Sequence, residues 1–130
     1  MTSSVLPEFH PGQNWCYQAP PGLEHSRILI GAVVSFEGRE PIVCCAVLNA
    51  QRMLPSGQLD AVTIPFLPMA SSALRQTVTE LDGEAGLPDE FGAAFSAWQS
   101  DERGLAAFTV PFEGRLDLLV ARQMLEIADK

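Results

Sequence analysis

The sequence predicts an α+β protein: a mainly antiparallel sheet of about five short strands, in the order β-β-β-β-α-α-β-α, packed with three helices. Three observations carry this. Two Ile/Val-rich runs, residues 27–36 and 41–49, are separated only by Glu37-Gly38-Arg39-Glu40, a connection of hairpin length containing glycine. Phe91, Ala94, Phe95 and Trp98 fall at i, i+3, i+4 and i+7, the spacing of one helix face. Leu116, Leu119, Val120, Met124 and Ile127 repeat that spacing near the end of the chain.

Residues 1–12 hold two prolines and a glycine and read as a loosely ordered lead-in to a single domain over 13–130. Residues 13–18 alternate as a short strand, with Trp15 and Tyr17 on one face and Cys16 on the other, closed by the Pro20-Pro21-Gly22 turn. In the hairpin that follows, strict alternation puts Ile28, Ile30, Ala32, Val34 and Phe36 on one side, and Leu29, Val33 and Ser35 on the other. Its second strand sets Ile42, Cys44, Ala46 and Leu48 against Val43, Cys45 and Val47. Strands apolar on both faces are covered on both, by helices, by a closing sheet or by a second subunit.

After Pro55-Ser56-Gly57, residues 61–66 read as a strand, and Ser71 or Ser72 can cap a helix reaching residue 81 with Leu74, Val78 and Leu81 buried. A Gly-rich loop over 82–88 leads to a helix with Pro88 at its first position and Asp89 and Glu90 at its positive end. Residues 105–111 form the last strand and 116–128 the last helix. Leu118, Ala121 and Leu125 widen the apolar face of that helix beyond one stripe, so it is either deeply buried or partly an interface. Thr63-Ile64-Pro65-Phe66 and Thr109-Val110-Pro111-Phe112 echo each other, each ending a strand before a helix, although prolines at strand ends explain the likeness without duplication.

The 130 residues are 47% hydrophobic and 18% charged, enough for a core that needs neither disulfides nor metal. Only 8 Lys plus Arg stand against 16 Asp plus Glu, a formal charge of -8. That balance excludes nucleic acid as the expected partner and disfavours anionic membrane surfaces. With no apolar run long enough for a membrane helix, no signal-like N-terminus and an odd cysteine count with Cys44 and Cys45 adjacent, the expected compartment is the cytoplasm.

Chemistry-bearing residues crowd into NWCYQAPPGLEHSR, residues 14–27. Cys16 and His25 are its candidate nucleophile and base, with Glu24 a further candidate beside them. No nucleophile-bearing motif surrounds Cys16, and a mid-strand cysteine is expected to be a small buried residue. Trp15, Tyr17, His25 and Arg27 are the candidate binding patch, because amphipathic aromatics and arginine are enriched at interface hot spots.

Cys44 and Cys45 point to opposite faces of one strand, and no paired Cys or His clip exists, so neither a metal nor another cofactor is expected. Gly83 and Gly86 lack the Lys-Ser or Lys-Thr of a phosphate loop and stand beside Asp82 and Glu84. The segment 80–102 has seven acidic and no basic residues and could steer a basic surface. Pro65-Phe66, Pro111-Phe112, Leu67 and Met69 could line a small apolar pocket, with ordinary core as the simpler expectation.

The expected function is a small acidic protein-interaction module without catalytic activity, self-associating as a homodimer through the two-sided hairpin or the last helix. The alternatives are a small-molecule-binding protein or Cys/His hydrolase at the Pro-Pro-Gly turn, and an acidic protein that neutralises a basic partner.

Overall fold

The computed structural model describes residues 8–19, 23–101 and 106–128. Five antiparallel strands, β1 (Gln13–Tyr17), β2 (Arg27–Phe36), β3 (Arg39–Met53), β4 (Leu59–Ala70) and β5 (Val78–Glu84), form one sheet in the order β4-β3-β2-β1-β5. Helices α1 (Ser71–Thr77), α2 (Glu90–Gln99) and α3 (Leu116–Ala128) complete an α+β fold. Among the described residues no helix is long and apolar enough to cross a membrane.

The two-sided apolar character of β2 and β3 is met within the chain, by a different layer on each face. One face carries Trp15, Ile28, Ile30, Val43, Cys45, Val47 and Leu67 and is covered by α1, Val110, Phe112 and Leu119. The other carries Leu29, Ala32, Val34, Ile42, Cys44 and Ala46 and is covered by α2 through Phe91, Phe95 and Trp98. Phe66 of β4 sits in that aromatic cluster, 5.6 Å from Phe91 and 5.7 Å from Trp98 between ring centroids.

The face assignment along β2 departs from strict alternation. Ile30 pairs with Cys45 and Ala32 with Cys44, so β2 advances two residues while β3 advances one. Gly31 is the extra residue of a β-bulge, and beyond it the faces exchange. Ala32, Val34 and Phe36 therefore join Leu29 under α2, while Val33 joins Ile28 and Ile30. The Phe91 ring lies on Gly31, where a Cβ would meet Phe91 Cζ at 2.2 Å.

The element order also differs. The helix expected to reach residue 81 stops at Thr77, and Val78–Glu84 becomes the fifth strand, pairing with the free edge of β1. Leu74, Val78 and Leu81 have helical spacing, but Thr77-Val78-Thr79 is a β-branched run that favours extended backbone. Val78 is buried opposite Tyr17, and Leu81 is left 40% exposed. The start of α1 is capped from a distance: Ser72 N–H donates to Glu40 Oε1 at 2.7 Å, and Ser71 and Ser72 hydroxyls donate to the same carboxylate at 3.1 Å. Pro88 lies ahead of the N-cap Asp89 rather than at the first helical position.

The strand expected over 105–111 does not form within the described residues 106–111. Phe108 makes one parallel bridge to Met69 at the outer edge of β4, its N–H donating to the Pro68 carbonyl at 3.0 Å. From there the segment turns inward and buries Val110 and Phe112. The TIPF stretch lies inside β4 and its TVPF counterpart in irregular backbone, so the two are not equivalent units. Of the lead-in, residues 1–7 are outside the described set, and Phe9 is buried edge-on against Trp15 at 5.4 Å.

Candidate interaction surface

The opening stretch is mostly framework. Trp15 is fully buried, and its indole N–H donates to Gln13 Oε1 at 3.0 Å. Tyr17 is buried beside Phe112. Its hydroxyl donates to Ser26 Oγ at 2.6 Å, because the Ser26 hydrogen is committed to the Leu48 carbonyl at 2.8 Å. Neither aromatic offers surface to a partner, because both side chains point into the core between the sheet and its covering layer.

Arg27 is held internally as well. Its Nε donates to Asp82 Oδ2 at 3.0 Å, an ion pair reaching over β1 from β2 to β5, and its Nη1 donates to the carbonyls of Glu24 and Ser26 at 2.8 and 2.9 Å. Together these bonds fasten the turn to both neighbouring strands. His25 stands exposed in that turn, its carbonyl accepting from Asn49 Nδ2 at 3.3 Å, and Glu24 is exposed beside it.

Cys16 is half-buried, paired with Glu80, and surrounded by the charges of Arg27, Asp82 and Glu80 rather than by His25. Burial pushes its thiol up first, the two carboxylates push the same way, and Arg27 only partly opposes them. A thiol held protonated is a poor nucleophile. Cys44 and Cys45 do lie on opposite faces; burial lifts Cys44 to about 12, and burial first, with the neighbouring Cys44 pushing the same way, raises Cys45. Among the described residues no three His, Cys, Asp or Glu side chains converge to hold a metal ion. The Pro-Phe residues belong to the core on both sides of the sheet, Phe66 under α2 and Leu67, Met69 and Phe112 on the opposite face, and form no common pocket.

The unusual surface is α3. Only Leu119 of its large apolar residues is buried, while Leu116, Leu118 and Val120 are each 40% exposed and Met124, Leu125 and Ile127 are 63–68% exposed. At about 100° per residue, those six residues and Ala121 span a continuous arc broken only by Asp117. The polar arc faces inward: Gln123 Oε1 accepts from the Thr109 N–H at 2.7 Å, and Glu126 accepts from the Thr109 hydroxyl at 3.0 Å. Polar bonds thus turn the helix so that its apolar arc faces solvent.

The first turn of α3 is fixed by Arg115, whose Nε donates to Asp117 Oδ1 at 3.0 Å and holds that carboxyl below the usual carboxylate range. Gly114, at φ 98°, makes the turn into the helix, and its carbonyl accepts from the Gln51 N–H at 2.8 Å. This contact places α3 beside the protruding ends of β3 and β4. Between them runs a mainly apolar groove of about 490 Å³, lined by Leu116, Val120, Val62 and Ile64 together with Asp117, Gln51 and Arg52. The sequence flagged the width of the α3 face but gave no signal for the groove, because β3 and β4 extend past their expected ends.

A second groove, of about 540 Å³ and mixed polarity, lies between residues 8–11, β2, β3 and α1, with Glu8, His10, Ser71 and Arg75 on its wall. The Arg75 guanidinium sits over the Phe9 ring at 4.7 Å. At the far edge of the sheet, Glu80, Asp82 and Glu84 are exposed on β5. No protein-family model matches this chain, and no curated protein or solved structure matches it.

Proposed function

We propose that the protein is a small acidic cytoplasmic interaction module without catalytic activity, self-associating and working through the apolar arc of α3 and the groove beside it. The observation that carries this reading is the exposure of Met124, Leu125 and Ile127, 63–68% each, on a helix whose polar residues bond inward. With Leu116, Leu118 and Val120, each 40% exposed, they present on the order of 500 Å² of apolar surface, near the upper end of patches on monomeric proteins, where large patches mark interaction sites. The hairpin, the other candidate interface, supports the reading less, because α2 and α1 already cover its faces.

A photo-crosslinking residue placed at Leu125 tests the reading in the native cell. A covalent adduct to any protein, formed at Leu125 and not at the exposed Asp60 on β4, is expected. No adduct at Leu125 refutes the module.

The mixed groove beside α1 favours a second reading, a small-molecule site, because its volume of about 540 Å³ falls in the ordinary range for ligand pockets. A thermal-shift screen tests it, with Arg75→Ala expected to abolish any ligand-induced shift. A shift that survives this change places the ligand elsewhere.

A further inference from the structure

We infer that the mixed groove beside α1 takes a free α-amino acid with an apolar side chain, its carboxylate on Arg75, its ammonium on Glu8 and its side chain on a floor of Val33, Val43 and Pro41. This rests on the second reading above, that the groove is a ligand site, and names the class of ligand.

The floor follows from the bulge in β2. The register shift at Gly31 turns Val33 to the α1 side, beside Val43 of β3, and Pro41 extends the same apolar strip. One wall is α1, where Arg75 sits over the Phe9 ring at 4.7 Å, a contact that fixes where its charge lies. A guanidinium engages a ring through its face and a carboxylate through its in-plane N–H fork, so the two contacts are compatible.

The other wall, residues 8–11, is set by Gln13. Its Nε2 donates to the Glu8 carbonyl at 2.9 Å, and its Oε1 accepts from the His10 N–H at 2.8 Å. A wall held in place before binding lowers the ordering cost of a small ligand. Glu8 thus brings a carboxylate to the groove that Arg75 supplies with a cation.

Charge narrows the ligand further. A simple anion is repelled by Glu8 and by the formal charge of -8 on the chain, and a simple cation is repelled by Arg75. A zwitterion with an apolar portion meets neither penalty and uses both charged walls and the floor. The groove, of about 540 Å³, has room for a molecule of that size.

The test is titration of the purified chain with L-leucine, leucinamide and N-acetyl-leucine, read from the methyl resonances of Val33 and Val43, with Val62 in the other groove as control. L-leucine should move the first two methyls and not the third. Leucinamide, which lacks the carboxylate, and N-acetyl-leucine, which lacks the ammonium, should each bind at least about tenfold more weakly. Arg75→Gln should weaken L-leucine by a similar factor and leave leucinamide unchanged. Glu8→Gln, at an exposed site that does not test the fold, should weaken L-leucine and leave N-acetyl-leucine unchanged.

Equal affinity for L-leucine and either derivative, or L-leucine binding that survives Glu8→Gln undiminished, overturns the inference while leaving a small-molecule site in place. No movement of Val33 or Val43 with L-leucine up to about 10 mM, far weaker than ordinary ligand affinities, also overturns it. If no compound of the thermal-shift screen binds either, the small-molecule reading falls with it.

Discussion

Replacing Gly31 by alanine tests how the two faces of the sheet are organised. The added Cβ would lie 2.2 Å from Phe91 Cζ and 2.6 Å from both Cε atoms. To reach ordinary contact at about 3.7 Å the ring must move by about 1.5 Å. Phe91 cannot move alone, because it stacks on Phe95 at 5.8 Å and packs on Phe66 at 5.6 Å, so the displacement is passed to α2. Overpacking of this kind costs roughly 1–3 kcal/mol, and the lower backbone entropy of alanine in the unfolded chain returns about 0.4–1 kcal/mol.

A net loss of about 1–2 kcal/mol is therefore expected, measured by urea denaturation with tryptophan fluorescence and circular dichroism in parallel. The decisive comparison repeats Gly31→Ala in a Phe91→Ala background, where the clash is gone and the change should be neutral or mildly stabilising. An equal loss in both backgrounds would refute the bulge-and-ring account.

Two further predictions concern ionisable groups. Glu40 accepts from the Ser72 N–H and from both serine hydroxyls at the start of α1, which lowers its carboxyl below the ordinary range. A lowered folded value means that its contribution is complete above the ordinary carboxylate range and is lost as the pH falls through that lowered value. Glu40→Gln should remove this acid-side dependence and, the site being exposed, cost at most about 1 kcal/mol; an unchanged acid limb in chemical denaturation refutes the cap. Cys44 and Cys45 are pushed up by burial and should react with a mild alkylating agent only on unfolding, and Cys16 should react slowly. Fast labelling of Cys16 that His25→Ala suppresses would restore the dyad.

The elements most legible in the sequence were those in which local pattern and tertiary packing agree. The hairpin showed in its Ile/Val runs and Glu37-Gly38-Arg39-Glu40 connection, α2 in the spacing of Phe91, Phe95 and Trp98, and α3 in an uninterrupted helical repeat. The misreadings each have a tertiary cause. Strict alternation along residues 28–36 fails at Gly31, where the register shift between Ile30 and Ala32 exchanges the faces and the Phe91 ring lies on the glycine. Val78 fitted a helical stripe and was claimed instead by the free edge of β1. Residues 106–112 have a strand's composition, but burial of Val110 and Phe112 accounts for it without a ladder.

For the surface, the excess width of the α3 face was visible, but its outward direction was not. That direction is set by bonds from Gln123 and Glu126 to Thr109, which join segments 14 and 17 residues apart. Trp15 and Tyr17 have the composition of a hot spot and serve as core, a distinction that depends on the layer covering them and not on strand alternation.

Hydrogen–deuterium exchange of the purified chain at two concentrations tests most directly whether α3 is the working face. Backbone amides in Leu116–Ala128 should exchange at least tenfold more slowly at 100 µM than at 0.1 µM, with Leu125→Glu abolishing the difference and α2 unchanged as an internal control. Exchange in α3 that is independent of concentration, or protection that appears on β5 instead, would contradict the account.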